Sequence, residues 1–301
     1  MSNRILVTGS GGLVGAALCR SLKQDGCEVH RLVRRKPLGA TEHRWDPAER
    51  KFDASGIQVD AVVHLAGESI AQGRWTAAKK ARIRDSRVAG TRLLCEGLAR
   101  IEKPPGVLVC ASAIGLYGDR GDEVLDEQSA AGEGFLAEVC AAWEAAADPA
   151  CAAGLRVVHL RLGVVLDASG GALAKMLLPF LMGFGGRIGS GSQFMSWITL
   201  DDLVGVIRFA IDADALAGPV NAAAPGALTN ADFTKALGRA LHMPTFFPLP
   251  GPVACFLMGE MAKGMLLASA RVAPKALETA GFRFAYPDID TALAAVLDGQ
   301  R

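Results

Sequence analysis

The stretch Val7-Thr-Gly-Ser-Gly-Gly-Leu-Val-Gly15 decides the fold of this 301-residue chain. It follows a short apolar run that predicts a β-strand, and it leads into a helical pattern. Gly9 permits a tight turn, Gly12 lets a pyrophosphate approach the main chain, and Gly15 lets the helix pack closely on the strand. Amides at the helix start would then donate to phosphate, aided by the helix dipole.

Glycine also makes ordinary turns, so the glycine spacing alone is weak evidence for a cofactor-binding loop. Its position between a strand and a helix indicates a loop that binds a dinucleotide. The residues predicted to hold the cofactor in this loop are Gly9, Gly11, Gly12, Leu13, Val14 and Gly15.

Outward from this loop, short β-branched runs alternate with longer helical patterns, which favours a parallel sheet with helices on both faces. The predicted class is α/β, with a Rossmann-type doubly wound parallel sheet and a smaller C-terminal substrate lobe. Strands are predicted at Arg4–Thr8, Glu28–Val33, Ala61–Ala66, Val107–Ala111 and Arg156–Leu166, and helices begin near Leu13, Ala77 and Phe135.

The pattern changes after Leu166. An apolar helix over 172–182 leads into a glycine-rich run, Gly183–Gly191, which is interpreted as a hinged lid with Arg187 as a cation or as a surface turn that needs positive φ. Thr229-Asn-Ala-Asp232 is typical of a capping box. We predict a cofactor domain over 1–225 and a lobe that closes the substrate site over 226–301.

Composition narrows the function classes. Half of the residues are hydrophobic and the formal charge is +1, which gives no electrostatic reason to expect nucleic acid or a membrane as a partner. The seven cysteines are scattered without a C-x-x-C pair, and no Cys/His spacing suits a metal. We expect a soluble, cytoplasmic protein with a small-molecule substrate and no metal.

The end of the second strand bears on cofactor choice. An NAD-selective site usually places a carboxylate there, whereas this chain has Arg34 and Arg35, which could hold a 2′-phosphate. The alternative is a solvated basic turn. The pattern favours NADP(H).

These motifs resemble the extended short-chain dehydrogenase/reductases. Thr8-Gly-x-x-Gly-x-x-Gly15 has that family's glycine spacing, and His64-Leu-Ala-Gly67 resembles the end of its fourth strand. Ser112 lies where the family has a serine, and Gly90-Thr91 with Leu93-Leu94 matches its long helix. The resemblance also implies helices beside the sheet that can form a homodimer.

A closer resemblance is to the atypical branch of nucleoside-diphosphate-sugar epimerase-like proteins, and it covers nearly the whole chain. Its marks are Gly67-Glu-Ser-Ile70, Arg74-Trp75, Ser86-Arg87, Phe135–Val139, Trp143-Glu144, Arg161-Leu-Gly163, Gly189-Ser-Gly191, Ser196-Trp197-Ile198 and Gly281-Phe-x-Phe284. By this resemblance Arg82 and Arg87 approach the cofactor phosphates, although Arg82 reads equally well as an exposed helix cation. The residues that would line the ribose or nicotinamide are Leu65, Ala66, Gly67, Glu68 and Arg161.

The expected proton donor is the unusual feature. In the reductase mechanism a tyrosine protonates the carbonyl oxygen, and a lysine four residues on lowers the phenol pKa. The corresponding helix start has Phe135 and Val139, so the pair is predicted to be missing. Tyr117, in Tyr-Gly just after the serine strand, is a candidate acid whose alternative is a pocket wall or turn, and Ser112 is a candidate hydrogen-bond donor to substrate.

Two functions follow from the sequence. The first is an NADP(H)-dependent oxidoreductase or epimerase that acts on a small carbonyl or sugar-like substrate with a non-standard acid. The second is a non-catalytic NADP(H)-binding or redox-sensing module. Ordinary NAD-dependent sugar epimerisation is disfavoured by Arg34 and by the missing pair.

Overall fold

A computed structural model describes residues 4–52, 54 and 56–298. The strands are β1 (Arg4–Thr8), β2 (Glu28–Val33), β3 (Glu42–Asp46), β4 (Lys51–Phe52), β5 (Ala61–His64), β6 (Val107–Ala113), β7 (Val124–Leu125), β8 (Arg156–Leu162), β9 (Val164–Asp167), β10 (Phe194–Met195), β11 (Trp197–Thr199), β12 (Gly218–Ala222), β13 (Leu228–Thr229) and β14 (Arg271–Val272). The helices are α1 (Leu13–Gln24), α2 (Ala77–Leu98), α3 (Phe135–Ala145), α4 (Asp148–Ala152), α5 (Gly171–Leu181), α6 (Leu200–Asp212), α7 (Asn230–Leu241), α8 (Gly251–Met258), α9 (Glu260–Ala262), α10 (Lys275–Thr279) and α11 (Ile289–Leu297). A 3-10 turn follows β6 at Ile114–Tyr117, and a π-helical turn follows α9 at Lys263–Leu267.

The central sheet has eight strands in the order β12-β8-β6-β5-β1-β2-β3-β4. Neighbouring strands are parallel except at the edge, where β4 runs antiparallel to β3. The chain starts in the middle, at β1, and moves first to one edge and then to the other. This order confirms the predicted Rossmann-type α/β class and brings the ends of β1 and β5 together.

Alternate side chains of the strands feed two core layers. Val7, Val63 and Val109 pack with α1 and α6 on one face of the sheet. Leu6 and Leu108 pack with α2 and α4 on the other face. Because both faces are covered by helices, the central strands are apolar along most of their length, as parallel strands usually are.

A third core lies in the C-terminal part. Leu173, Leu177 and Phe180 of α5 pack with Trp197 and with Phe233, Leu237 and Leu293 from α7 and α11. Trp197 is completely buried in this core.

Helix starts at Leu13, Ala77 and Phe135 agree with prediction, and β1 and β2 have the predicted bounds. The predicted strand over 156–166 is two strands, β8 and β9, separated at Gly163. Thr229 caps α7 by accepting from the Asp232 amide at 3.2 Å, but the Asp232 carboxylate accepts from the Thr229 hydroxyl at 2.6 Å rather than reaching back to the main chain. The expected capping box is therefore only half formed.

The carboxyl ends of β1 and β5 are joined by side-chain hydrogen bonds. The Thr8 hydroxyl oxygen accepts from the amides of Leu65 at 3.1 Å and Ala66 at 3.2 Å. Its proton is therefore free to be donated to Nδ1 of His64, 2.7 Å away. This arrangement fixes the loop that follows β5 against the loop that follows β1.

The same histidine ties the sheet to two helices. Because Nδ1 accepts, Nε2 carries the proton and donates to the hydroxyl of Thr91 in α2 at 2.9 Å. Thr91 also accepts from the indole of Trp143 in α3 at 2.9 Å. His64 is fully buried, and burial lowers its pKa from 6.5 to about 4.

We predict that His64 makes the fold sensitive to mild acid. The unfolded chain takes up this proton near pH 6.5, whereas the folded chain takes it up only near 4, so stability is complete above the higher value and is lost as the pH falls between them. The free energy of unfolding in urea should drop by about 2 kcal/mol between about pH 7.5 and about pH 5 from this group alone.

The matched variant is His64→Gln, which cannot be protonated in this range. It should be less stable at neutral pH because the bond to Thr8 or Thr91 is impaired, yet its stability should depend less on pH than that of the native chain. Equal pH dependence in the two proteins would contradict the prediction.

Candidate functional site

The glycine loop after β1 leaves room for a ligand above the start of α1. Gly9 has φ +68°, and a Cβ there would lie 2.8 Å from the main chain of Leu65. A Cβ on Gly15 would lie 2.3 Å from the Gly9 carbonyl oxygen. Helix α1 begins after Gly12 without a side-chain cap and without an acidic residue in its first turn. Its first amides are therefore available to an anion.

A second segment packs on this loop. A Cβ on Gly170 would lie 3.1 Å from Cδ1 of Leu13, so the turn after β9 lies against the first residue of α1. The sequence contains no pattern that predicts this contact, because it joins residues far apart in the chain.

The loop after β5 continues the site. Residues 65 and 66 are fixed by Thr8, and a Cβ on Gly67 would lie 3.3 Å from Cζ of Arg87. The Glu68 amide donates to the Ser86 hydroxyl at 3.0 Å. The predicted lining residues Leu65–Glu68 are thus brought close to α2.

Glu68 is surrounded by cations. Its Oε1 lies 2.7 Å from Nζ of Lys79, a buried lysine in the first turn of α2, and 3.6 Å from Nε of Arg82. The hydrogen bond from Lys79 lowers the pKa of Glu68. Arg82 is 61% exposed, which agrees with the alternative of an exposed helix cation, although it also faces Glu68.

Arg87 is different. Its Nη1 donates to the main-chain oxygens of Glu68 at 3.0 Å and Ile83 at 3.1 Å, and its guanidinium lies 5.0 Å from the ring centre of Trp143. Burial lowers its pKa. A partly buried cation that bonds to neutral groups attracts an anion more strongly than one already paired with a carboxylate.

The two arginines after β2 have separate environments. Arg35 forms a two-pronged bond with Glu42 of β3 at 2.7 Å for both pairs of atoms, and Arg31 reaches the same carboxylate at 2.7 Å. The hydrogen bond from Arg35 lowers the pKa of Glu42 to about 2. Arg34 is exposed. Sequence reasoning missed Glu42 because it lies beyond the arginine turn, on a strand that was not predicted.

Ser112 and Arg161 lie in a buried network below the site. The Ser112 hydroxyl donates to Glu144 Oε1 at 2.7 Å, and Arg161 donates to both oxygens of Glu144 at 2.9 Å. Burial opposes ionisation of Glu144, but the bonds from Arg161 and Ser112 outweigh it and lower its pKa. Ser112 is 1% exposed, so its hydroxyl serves this carboxylate rather than an open cleft.

Tyr117 belongs to the same network. Its side chain has no exposed area, and its hydroxyl donates to Oδ1 of Asn221 at 2.7 Å and accepts from Nη1 of Arg161 at 2.9 Å. Burial raises its pKa and outweighs the bonds from Arg161 and Asn221. This geometry favours the turn or wall alternative, and the catalytic role remains a prediction.

An apolar cluster occupies the start of α3, where the sequence predicts a missing Tyr/Lys pair. Phe135 lies edge-on to Trp75 with ring centres 5.3 Å apart, and Val139 is buried beside them with Met261. Nζ of Lys80 lies 4.7 Å above the Phe135 ring. Neither position 135 nor position 139 carries an ionisable group.

The glycine run 183–191 is held at several points. Its Ile188 amide donates to Asn230 Oδ1 at 2.7 Å, and the Gly189 amide donates to the Leu249 carbonyl at 2.9 Å. Arg187 is exposed and donates to the Ser190 carbonyl at 2.8 Å. Gly183, Gly189 and Gly191 have positive φ. These contacts favour the surface-turn interpretation over the hinged lid.

Two further features concern the described residues only. No cluster of three or more His, Cys, Asp or Glu side chains in the ranges 4–52, 54 and 56–298 is arranged to hold a metal ion. Over those ranges, no helix combines the length and the apolar character needed to cross a bilayer.

Helix α1 begins with uncapped amides at the end of β1, beside the end of β5, in a doubly wound sheet. This combination is typical of a dinucleotide-binding protein. Residues 5–223 match the model of the NAD dependent epimerase/dehydratase family, and residues 249–296 match DUF1731, a domain of unknown function. The chain belongs to the NAD dependent epimerase/dehydratase family.

Its relatives cover the whole chain. Epimerase family protein Mb2239 of Mycobacterium bovis is 45% identical over 295 residues, with 97% of each chain covered. Human epimerase family protein SDR39U1 is 37% identical, with 98% of this chain and 99% of that protein covered.

Solved structures of similar proteins agree with this family assignment. The crystal structure of human SDR39U1 (isoform 2) with NADPH has a TM-score of 0.89 at 36% identity and covers 97% of this chain and 98% of that one. A nucleoside-diphosphate sugar epimerase from Corynebacterium glutamicum has a TM-score of 0.80 at 40% identity, covering 99% of this chain and 58% of that one. The predicted resemblance to atypical extended short-chain dehydrogenase/reductases is confirmed.

We predict that the two glycines Gly11 and Gly15 respond differently to an added methyl group. Gly15→Ala forces a Cβ to within 2.3 Å of the Gly9 oxygen and should lower the free energy of unfolding by about 2 kcal/mol or more. Gly11→Ala, whose Cβ would meet nothing within 4 Å, should change it by less than about 0.5 kcal/mol. Urea titrations of the cofactor-free proteins measure both, and equal losses would refute the close helix contact.

Proposed function

We propose that this chain is an NADP(H)-dependent oxidoreductase or epimerase-like enzyme that acts on a small carbonyl compound. One observation carries the proposal. The start of α1 after Gly12 is uncapped, and the same end of the sheet carries Arg34 and Arg87. Neither arginine belongs to a described ion pair, whereas Arg35 does. The NADPH in the human SDR39U1 structure supports NADP(H) as the cofactor.

Each part of the site has a distinct task. The first amides of α1 hold the pyrophosphate, and Leu65–Gly67 lie along the ribose. Arg34 meets the 2′-phosphate, while Arg35, already paired with Glu42, orders the turn that carries Arg34. When bound, NADPH supplies a hydride, and reduction of a carbonyl to an alcohol takes one further proton.

The source of that proton departs from the usual family pattern. Phe135 and Val139 have no ionisable group. The Tyr117 hydroxyl is buried and is hydrogen-bonded to Asn221 and to Arg161. These facts support a proton that comes from water or from substrate-side groups rather than from an activated phenol.

The alternative is a non-catalytic NADP(H)-binding or redox-sensing module. The observation in its favour is the apolar cluster of Trp75, Phe135 and Met261 at the position of the expected acid. A binding module needs the cofactor contacts and no proton donor.

The first test is a calorimetric titration with NADPH and with NADH at one salt concentration. NADPH should bind much more tightly, and Arg34→Ala should weaken NADPH binding by about tenfold or more because a charge-assisted bond is lost, while leaving NADH unchanged. Arg84→Ala removes a similarly exposed arginine that is paired with Asp85 and should change neither affinity. Equal affinity of the native chain for both cofactors would refute the role of Arg34.

A second test addresses Tyr117 once a turned-over carbonyl substrate is in hand. Tyr117→Phe should reduce the free energy of unfolding by about 1 to 2 kcal/mol, because Asn221 and Arg161 lose a buried partner, and should leave kcat within about twofold. A loss of kcat of about a hundredfold or more, with stability nearly intact, would instead make the phenol the general acid.

A further inference from the structure

The C-terminal part exposes an unusual amount of apolar side chain. Phe246 is 81% exposed and Phe256 is 79% exposed. Among the described residues, the large apolar side chains that are exposed lie here with the exceptions of Leu38 and Val124. The set comprises Leu178, Leu181, Met182, Phe184, Phe246, Phe247, Val253, Phe256, Leu257 and Met265. Exposed apolar side chains that form a contiguous patch mark a binding site more often than those scattered singly.

Helices α5 and α8 carry half of these side chains, and both helices contact the same loop. Nζ of Lys175 in α5 donates to the Ala71 carbonyl at 2.8 Å. Arg74 donates to the carbonyl of Phe256 in α8 at 2.5 Å. Because Ala71 and Arg74 are three positions apart, the two helices are anchored to the same short loop.

The other ends of the helices are joined by aromatic rings. Phe184 follows α5, Phe247 precedes α8, and their ring centres are 5.8 Å apart. Helix α5 therefore leads away from the loop and α8 leads back to it. We call the region between them the groove, with loop 71–74 at its inner end and the two phenylalanines at its outer end.

The inner end of the groove is continuous with the candidate cofactor site. Loop 71–74 follows Leu65–Glu68 after two further residues, and the Trp75 indole donates to the Ile70 carbonyl at 2.8 Å. A Cβ on Gly264, just after α9, would lie 3.3 Å from the Trp75 ring and 3.8 Å from Leu136. The segment that follows α8 thus packs against the apolar cluster at the start of α3.

The charges of these segments are few and mostly engaged. Residues 171–193 and 242–268 contain the cations Lys175, Arg187 and Lys263 and the anion Glu260. Lys175 and Arg187 donate to main-chain carbonyls, and Glu260 is 2.8 Å from Lys80. A nucleotide sugar needs many polar partners for its hydroxyls and diphosphate, whereas this groove offers carbon surface.

Resting on the proposed function, we infer that the substrate carries an elongated apolar chain, which lies in the groove between α5 and α8. The reacting carbonyl or alcohol lies at the inner end, near the loop that holds the cofactor ribose. The substrate class is therefore a lipid-like aldehyde, ketone or alcohol and not a nucleotide sugar. The C-terminal segment 249–296 supplies one wall of the groove through α8.

The test measures binding rather than turnover. Fluorescence of an NBD-labelled dodecanoic acid is titrated with the full-length protein, with and without NADPH, and dodecanal or UDP-glucose is then added as competitor. The variant Leu178→Asn/Phe256→Asn changes one exposed side chain on each helix, and Val124→Asn is the control because Val124 is 53% exposed outside the groove. NADPH affinity and light scattering are recorded for all three proteins.

We expect dodecanal to displace the probe and UDP-glucose to leave it bound. The double variant should bind the probe at least about tenfold more weakly, because amides replace two apolar contacts, while the control and all NADPH affinities stay unchanged. Displacement by UDP-glucose alone, or equal probe affinity in the double variant, overturns the inference.

Other occupants of the groove give other results. A native dimer that the double variant breaks, without competition by dodecanal, assigns this face to a second copy of the chain and overturns the inference. Sedimentation with phosphatidylglycerol vesicles, again without competition, assigns it to a bilayer surface and also overturns it. Loss of NADPH binding in the native chain would refute the proposed function, whereas the probe titration without NADPH still decides the groove.

Discussion

The structure depends on the contact of the first turn of α1 with the loop after β1. A side chain at Gly15 would collide with the Gly9 oxygen, and one at Gly9 would collide with the main chain of Leu65. Three segments therefore meet at main-chain distance, which holds the open amides of α1 beside the end of β5. Thr8 and His64 extend this constraint through hydrogen bonds to Thr91 in α2, so the cofactor loops are held by the core of the sheet.

The partners of each cation separate structural arginines from candidate ligand-binding ones. Arg161 and Arg35 each form a fork with a buried carboxylate, and such a pair has little attraction left for a phosphate. Arg87 has main-chain oxygens as its described hydrogen-bond partners, and Arg34 is exposed. The sequence shows the charge of all four residues. It does not show that Arg35 and Arg161 are the two that meet a carboxylate, because Glu42 and Glu144 come from other elements.

Local patterns explain what could be predicted. The starts of α1, α2 and α3 follow from helical periodicity next to Gly12, Thr76 and Gly134, which are signals within a few residues. Strand β4 has two residues, too few to show a period, and β3, with the sequence Glu-His-Arg-Trp-Asp, contains no β-branched residue. The burial of Tyr117 and Ser112 could not be predicted, because it depends on Asn221 and Glu144, which are 104 and 32 positions away.

The apolar cluster at the start of α3 relates the proposed source of the proton to the proposed apolar substrate. Because Phe135 and Val139 occupy this point, neither residue brings a polar side chain that has to be solvated or paired there. Trp75, Leu136 and Met261 close around the same point, and Gly264 brings the C-terminal part against it. The proposed apolar substrate agrees with this cluster, because sugar hydroxyls buried beside these side chains would have no hydrogen-bond partners. The apolar cluster at the start of α3 and the exposed apolar side chains of α8 are thus connected through the segment that carries Met261 and Gly264.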